Sequence, residues 1–75
     1  MNTSTFLNEF QEILQRDESV SLEDTLDDIE EWDSLSMMAT IAFFEKHFKV
    51  KVVFQQLKQL KTVADLAALS QGAIA

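Results

Sequence analysis

The segment Glu31-Trp32-Asp33-Ser34-Leu35-Ser36-Met37-Met38 joins an acidic, turn-like run to the longest helix-forming stretch of the chain. Asp33 is a residue type that caps helices well and Ser34 suits a first turn, so we predict that a helix begins at this pair. The free backbone N–H groups would lie beside the Ser34 hydroxyl, where the partial positive charge of a helix N-terminus favours a phosphate group. The neighbouring carboxylate can help to hold a divalent cation. The segment therefore predicts a phosphate site.

The tripeptide Asp33-Ser34-Leu35 resembles the Asp-Ser-Leu attachment site of the acyl carrier protein family. The likeness covers almost the whole chain, because an amphipathic segment and a long acidic run precede the serine, and a helix ending in Glu45-Lys46-His47-Phe48 and a Lys61-Thr62-Val63 step follow it. The resemblance implies that Ser34 is esterified to 4′-phosphopantetheine from coenzyme A. It also implies that Asp33 contacts magnesium and the phosphopantetheinyl transferase. The same two residues are compatible with a plain helix cap.

The first segment has the three-and-four spacing of a helix with one apolar face. Its apolar residues are Phe6, Leu7, Phe10, Ile13 and Leu14. We predict a first helix that follows the capping stretch Thr3-Ser4-Thr5 and ends near Arg16. The acidic run at positions 17–33 has periodic apolar residues, so we interpret it as a loop pinned to the bundle, with a turn at Ser21-Leu22-Glu23-Asp24. Trp32 would pack the loop end against the bundle, or else contact the pantetheine arm or a partner.

The later segments predict three more helices. The second runs from about Ser34 to Phe48, and the third is short and begins near Phe54 or Gln55 after an extended linker. The fourth is opened by a Thr-x-x-Asp capping pattern and continues towards Gly72. The predicted fold class is all-α, a small four-helix bundle of acyl-carrier type with three longer helices and one short third helix. Residues 1–75 form a single domain with a frayed tail at 73–75.

Composition excludes several classes of function. The chain of 75 residues has no cysteine and one histidine, which leaves no thiolate or histidine cluster for a metal and gives no room for a large active site. A net charge of −7 argues against nucleic acid as a partner. There is no charged-then-apolar leader and no apolar run long enough to span a bilayer, so we expect a soluble, cytoplasmic monomer.

The second helix is apolar on two sides. At 100° per residue its core stripe is predicted to contain Met37, Thr40, Ile41, Phe44 and Phe48. The opposite side carries Leu35, Met38, Ala39 and Ala42, and Phe43 lies beyond this group. In the family this side is where partner enzymes dock, and it usually carries acidic residues. The matching positions here are Ser36, Ala39, Glu45 and Lys46, so only Glu45 keeps an acidic charge. We therefore predict partner binding through Leu35, Met38, Ala39, Ala42 and Glu45. Scattered surface apolar residues are the plain alternative.

The resemblance also implies an acyl pocket between the second and third helices. Its lining would be Thr40, Ile41, Phe44, Val52, Leu57 and Leu60. Phe44 is larger than the usual aliphatic residue, so we expect a tight pocket that favours short chains or no burial of the chain.

Taken together, the resemblance implies a carrier rather than an enzyme. It would hold acyl intermediates as thioesters for fatty acid, polyketide or related biosynthesis, and would work with acyl-loading and acyl-processing enzymes. The position of Trp32 is more like D-alanyl and some peptidyl carriers, which form the first alternative. An unmodified helical module that binds a partner helix is the alternative from another class.

Overall fold

The computed structural model describes residues 1–74, which form four α-helices and one 3₁₀ turn. The helices are α1 (Thr3–Leu14), α2 (Ser34–Phe48), α3 (Phe54–Lys58) and α4 (Val63–Ala68), and the 3₁₀ turn is Leu26–Asp28. The described part of the chain has no β-strand, so the predicted all-α, four-helix class is confirmed.

The fourth helix corrects the prediction of three longer helices, since only α1 and α2 are long. After Ala68 the backbone continues through three successive i→i−3 hydrogen bonds of 3.0 to 3.2 Å, the tighter pattern that often ends a helix. The chain then turns through Gln71 and Gly72, which have φ values of 59° and 90°. The helical path therefore reaches the predicted stop at Gly72, but its last part is a series of turns.

The core is built on one face of α1. Phe6 and Phe10 are almost completely buried, and the Phe6 ring lies edge-on to Phe44 of α2 with their centroids 6.2 Å apart. The remaining core residues are Leu14 of α1 and residues of the later segments: Val20, Leu26, Ile29, Trp32, Val52, Leu57, Val63 and Leu66. Trp32 is only 9% exposed, and the ring centroids of Trp32 and Phe10 lie 5.6 Å apart. Its predicted role of packing the loop end against the bundle is therefore confirmed.

The acidic segment 17–33 is attached to the beginning of α4 by the backbone. The N–H of Leu26 donates to the carbonyl of Lys61 at 2.9 Å, and the N–H of Val63 donates to the carbonyl of Asp24 at 3.0 Å. A third bond runs from Ala64 to Leu22 at 2.9 Å. The prediction of a loop pinned to the bundle is therefore confirmed.

The helix ends explain the observed bounds. The Asn2 side chain caps α1 by accepting from the N–H of Thr5 at 2.7 Å, so the cap precedes the predicted capping stretch. The helix ends at Leu14, earlier than predicted, because the backbone of Gln15 adopts the left-handed conformation. The predicted cap of α4 is present, with the Thr62 side chain accepting from the N–H of Asp65. Hydrogen bonds from the backbone N–H groups of Thr62 and Lys61 lower the pKa of the Asp65 carboxyl below its usual value.

Lys49, the C-terminal cap of α2, has a left-handed backbone with φ 58°. Non-glycine residues in this region clash with their own Cβ, so we expect Lys49→Gly to raise the free energy of unfolding by about 0.5–1 kcal/mol. Urea unfolding followed by far-UV circular dichroism measures this change. The matched control is Lys46→Gly inside α2, which should lower the free energy of unfolding by about 1 kcal/mol. Equal destabilisation by both changes would contradict the prediction.

The predicted frayed tail at 73–75 stays a prediction, and the described residues 73 and 74 make contacts with the rest of the chain. The carbonyl of Ala73 accepts from the amino terminus at 3.2 Å, and the N–H of Ile74 donates to Ser70 Oγ at 3.3 Å. Ile74 also packs against the core. Ala75 lies outside the described residues.

Candidate functional site

The beginning of α2 has the geometry that the sequence predicts. Asp33 is the extended N-cap residue, and its Oδ1 accepts from the N–H of Ser36 at 3.0 Å. The N–H of Asp33 donates to Ser36 Oγ at 2.9 Å, which completes a reciprocal capping box. The first backbone hydrogen bond of α2 runs from the N–H of Met37 to the Asp33 carbonyl, so the N–H groups of Ser34 and Leu35 have no carbonyl acceptor within the helix.

The two serines at this helix start have different environments. Ser34 is exposed, whereas Ser36 is only 6% exposed. Ser36 Oγ also lies 2.9 Å from the Glu31 carbonyl and 3.0 Å from the Asp33 carbonyl, to which its hydroxyl can donate. The hydroxyl of Ser36 is therefore occupied and covered, and that of Ser34 is open to solvent.

The placement of Ser36 corrects two predictions about the faces of α2. It was expected on the docking side, but the buried stripe is Ser36, Thr40 and Phe44, one helical turn apart. Met37 and Ile41, expected in the core stripe, are only partly buried. Phe43 is also partly buried, and its ring centroid lies 6.2 Å from that of Phe44 and 5.8 Å from that of Phe48, so it packs with these two rings of α2.

The predicted partner-binding residues do form an exposed row. Leu35 and Met38 are 77% and 63% exposed, and Ala39, Ala42 and Glu45 are also exposed. Met38, Ala42 and Glu45 line a shallow depression together with Ile41 and Lys46.

The predicted acyl-pocket residues lie inside the bundle. Thr40, Phe44, Val52 and Leu57 are each no more than 3% exposed, while Ile41 and Leu60 are partly buried. The Thr40 hydroxyl is satisfied by the Ser36 carbonyl at 2.9 Å. These side chains are buried or partly buried in this structure, and their role towards an acyl chain stays a prediction.

Two features near Ser34 were not predicted. Arg16 Nη1 lies 3.7 Å from Glu31 Oε1, which connects the end of α1 to the segment before the site. Beside this pair, a groove runs between the end of α1 and the first turns of α2. The signal for the ion pair was present in the sequence, because Arg16 is the one base ahead of the acidic run.

The described residues hold no cluster of three or more histidine, cysteine or carboxylate side chains that could bind a metal. No helix formed by residues 1–74 is long and apolar enough to cross a membrane.

Comparisons with known proteins agree with this geometry. A family model described as a phosphopantetheine attachment site matches residues 4–70. The solution structure of a holo acyl carrier protein from Geobacter metallireducens is 35% identical in sequence, with a TM-score of 0.69. The match covers 91% of this chain and 79% of that one. A search of curated proteins finds no match.

The family match spans nearly the whole chain, and an exposed serine opens α2 where a phosphate can be held. Proteins of this kind hold 4′-phosphopantetheine covalently and are carriers rather than enzymes. The chain therefore belongs to the phosphopantetheine-attachment family of acyl carrier proteins.

Proposed function

We propose that Ser34 is the attachment residue and that the chain carries acyl intermediates for fatty acid, polyketide or related biosynthesis. The observation that carries this proposal is the difference between the two serines, since Ser34 is exposed and Ser36 is buried and hydrogen-bonded. The attached group would supply a thiol that holds the acyl chain as a thioester. The cytoplasmic location expected from the sequence stays part of this proposal.

The residues around Ser34 suit a phosphodiester. The N–H groups at the beginning of a 15-residue helix favour negative charge, and the first turn of α2 contains no acidic side chain. Asp33 uses Oδ1 for its cap. In the transferase complex we expect this carboxylate to help hold the magnesium ion that accompanies coenzyme A.

The test of the proposed function is the intact mass of the protein after incubation with coenzyme A, magnesium and a broad-specificity phosphopantetheinyl transferase. We expect a gain of one phosphopantetheine, located on Ser34 by fragmentation. An unchanged mass would favour an unmodified interaction module. Loading the modified protein with acyl, D-alanyl or aminoacyl groups by the corresponding enzymes then separates an acyl carrier from the D-alanyl and peptidyl alternatives.

We further propose that partner enzymes dock on the exposed row of α2. Leu35 and Met38 are the most exposed large apolar side chains of the described residues, and both lie within the first turns after Ser34. Glu45 is the only acidic residue of the row. Burial of apolar surface, at about 25 cal/mol per Å², would therefore supply more of the affinity than charge pairs do.

Met38→Glu should weaken binding of an enzyme that uses the modified protein by about tenfold, or about 1.4 kcal/mol, because it replaces buried apolar area with a charge. Glu45→Gln is the matched control and should have a much smaller effect. The dissociation constant should change little between low and physiological ionic strength, where charges are screened over about 8 Å. Isothermal titration across a salt series measures both effects. A steep loss with salt, together with a larger effect at Glu45, would contradict the prediction.

The interior residues support a related proposal about cargo. Phe44 and Leu57 are almost completely buried, so a chain entering between α2 and α3 would have to displace packed side chains. We propose that the bundle buries short acyl chains or none.

A further inference from the structure

The groove between α1 and α2 lies directly beside the proposed attachment residue. Its apolar lining consists of Ile13, Leu14, Leu35 and Ala39, and its polar lining consists of Gln15, Glu31, Asp33 and Ser36. Asp33 and Leu35 are the sequence neighbours of Ser34 on either side. Ser34 itself is not among the lining residues, so a group esterified to its hydroxyl has to bend past Asp33 or Leu35 to enter the groove.

The chemistry of the lining matches a pantetheine arm, which has an apolar dimethyl group and two amide N–H donors. The side chains of Ile13, Leu35 and Ala39 offer an apolar wall. The Gln15 carboxamide and the carboxylates of Glu31 and Asp33 offer hydrogen-bond acceptors. Arg16 lies 3.7 Å from Glu31 and offsets part of the negative charge at this end of the groove.

The other side of α2 is occupied by buried side chains. Phe44 and Leu57, which a chain entering between α2 and α3 would have to separate, are only 0% and 1% exposed. Entry there requires rearrangement of the core, whereas the α1–α2 groove is already open in this structure.

We propose that the α1–α2 groove is the resting site of the pantetheine arm on Ser34. The inference rests on the proposed function, in particular on attachment at Ser34. Leu35 and Ala39 line the groove and also belong to the proposed docking row. An enzyme that covers these two residues would therefore compete with the groove for them, so docking releases the arm.

The experiment begins with the intact mass, which establishes that the arm is attached. Methyl-labelled modified protein is then compared with the unmodified protein by nuclear magnetic resonance. We expect nuclear Overhauser contacts from the dimethyl group of the arm to the methyl groups of Ile13, Leu35 and Ala39. We also expect shift changes along the end of α1.

Ala39→Phe fills the groove from an exposed position and should abolish the contacts to Ile13. Ala42→Phe is the matched control, since Ala42 is exposed on the same helix but lines the other depression. It should leave the contacts unchanged. The comparison uses the modified form of each variant, isolated by its mass, because Ala39 and Ala42 also belong to the proposed docking row and their substitution can slow the transferase.

Three outcomes would overturn the inference. Contacts to Ile41, Leu57 and Leu60 would place the arm between α2 and α3, and an attached arm without contacts to the bundle would leave the groove without a role. Both results leave attachment at Ser34 intact. A chain that gains no mass would overturn the proposed function as well, so the mass spectrum separates the two failures.

Discussion

Ser34→Ala should abolish the attachment of phosphopantetheine completely while leaving the fold intact. The hydroxyl of Ser34 is the proposed nucleophile, and the side chain is exposed, so its removal costs little packing. Alanine is well tolerated in the first turn of a helix, and the cap of α2 is made by Asp33 and Ser36. Intact mass after the transferase reaction measures the modification, and circular dichroism measures the helix content.

The matched control is Ser36→Ala, which should still accept phosphopantetheine. It removes the hydroxyl that accepts from Asp33 and donates to the preceding carbonyls, so we expect a loss of about 1–2 kcal/mol in the free energy of unfolding. Ser34→Ala should therefore lose the modification and keep its stability, whereas Ser36→Ala should keep the modification and lose stability. Modification of the Ser34→Ala protein would show that another residue is the attachment site.

Asp33→Asn should slow the transfer without preventing it, since the neutral amide is a poorer magnesium ligand.

Phe10→Ala should lower the free energy of unfolding by about 3–5 kcal/mol. Phe10 is completely buried and its ring lies 5.6 Å from Trp32, so truncation leaves a cavity between α1 and the segment before the site. A domain of 75 residues is expected to have a total stability of about 4–11 kcal/mol. The variant should therefore be largely unfolded at moderate urea concentrations. Urea titration followed by circular dichroism gives the change directly.

Leu35→Ala is the control for Phe10→Ala, because Leu35 is a large apolar side chain that is 77% exposed. Its effect on the free energy of unfolding should stay within about 0.5 kcal/mol. If both substitutions cost the same, the burial pattern described for α1 and α2 would be wrong.

The sequence was sufficient to predict the beginning of α2 and the role of Trp32. An N-cap aspartate and the apolar spacing of the neighbouring segments are local signals, and they decide local structure. The same kind of signal predicted α3 near Phe54 and the capping box of Thr62 and Asp65.

The prediction for the buried face of α2 was wrong at Ser36, which was expected on the docking side because it matches an acidic position of the family. A polar residue at a helix start normally indicates the solvent side. Here the Ser36 hydroxyl is satisfied by the backbone of the preceding segment, so its burial costs little and the stripe through Thr40 and Phe44 can face the core. The predicted exposed row is unaffected, because Leu35, Met38 and Ala42 lie on the side of α2 that faces away from the core.

The groove beside Ser34 could not be predicted from spacing alone. It depends on where the end of α1 lies relative to the first turns of α2, and that is a matter of tertiary packing. The early end of α1 contributes, because Gln15 adopts a left-handed conformation that residue type alone does not favour.

The backbone bonds between the acidic segment and α4 have a consequence for recognition. Ordering a loop that is free in solution costs a partner about 1–2 kcal/mol of free energy per residue, because the backbone loses conformational entropy. Here the carbonyls of Leu22, Asp24 and Lys61 already hold residues on both sides of the contact. A protein that binds the carboxylates of this segment therefore meets a preorganised array of charges, and the entropy lost in arranging that backbone belongs to folding rather than to association.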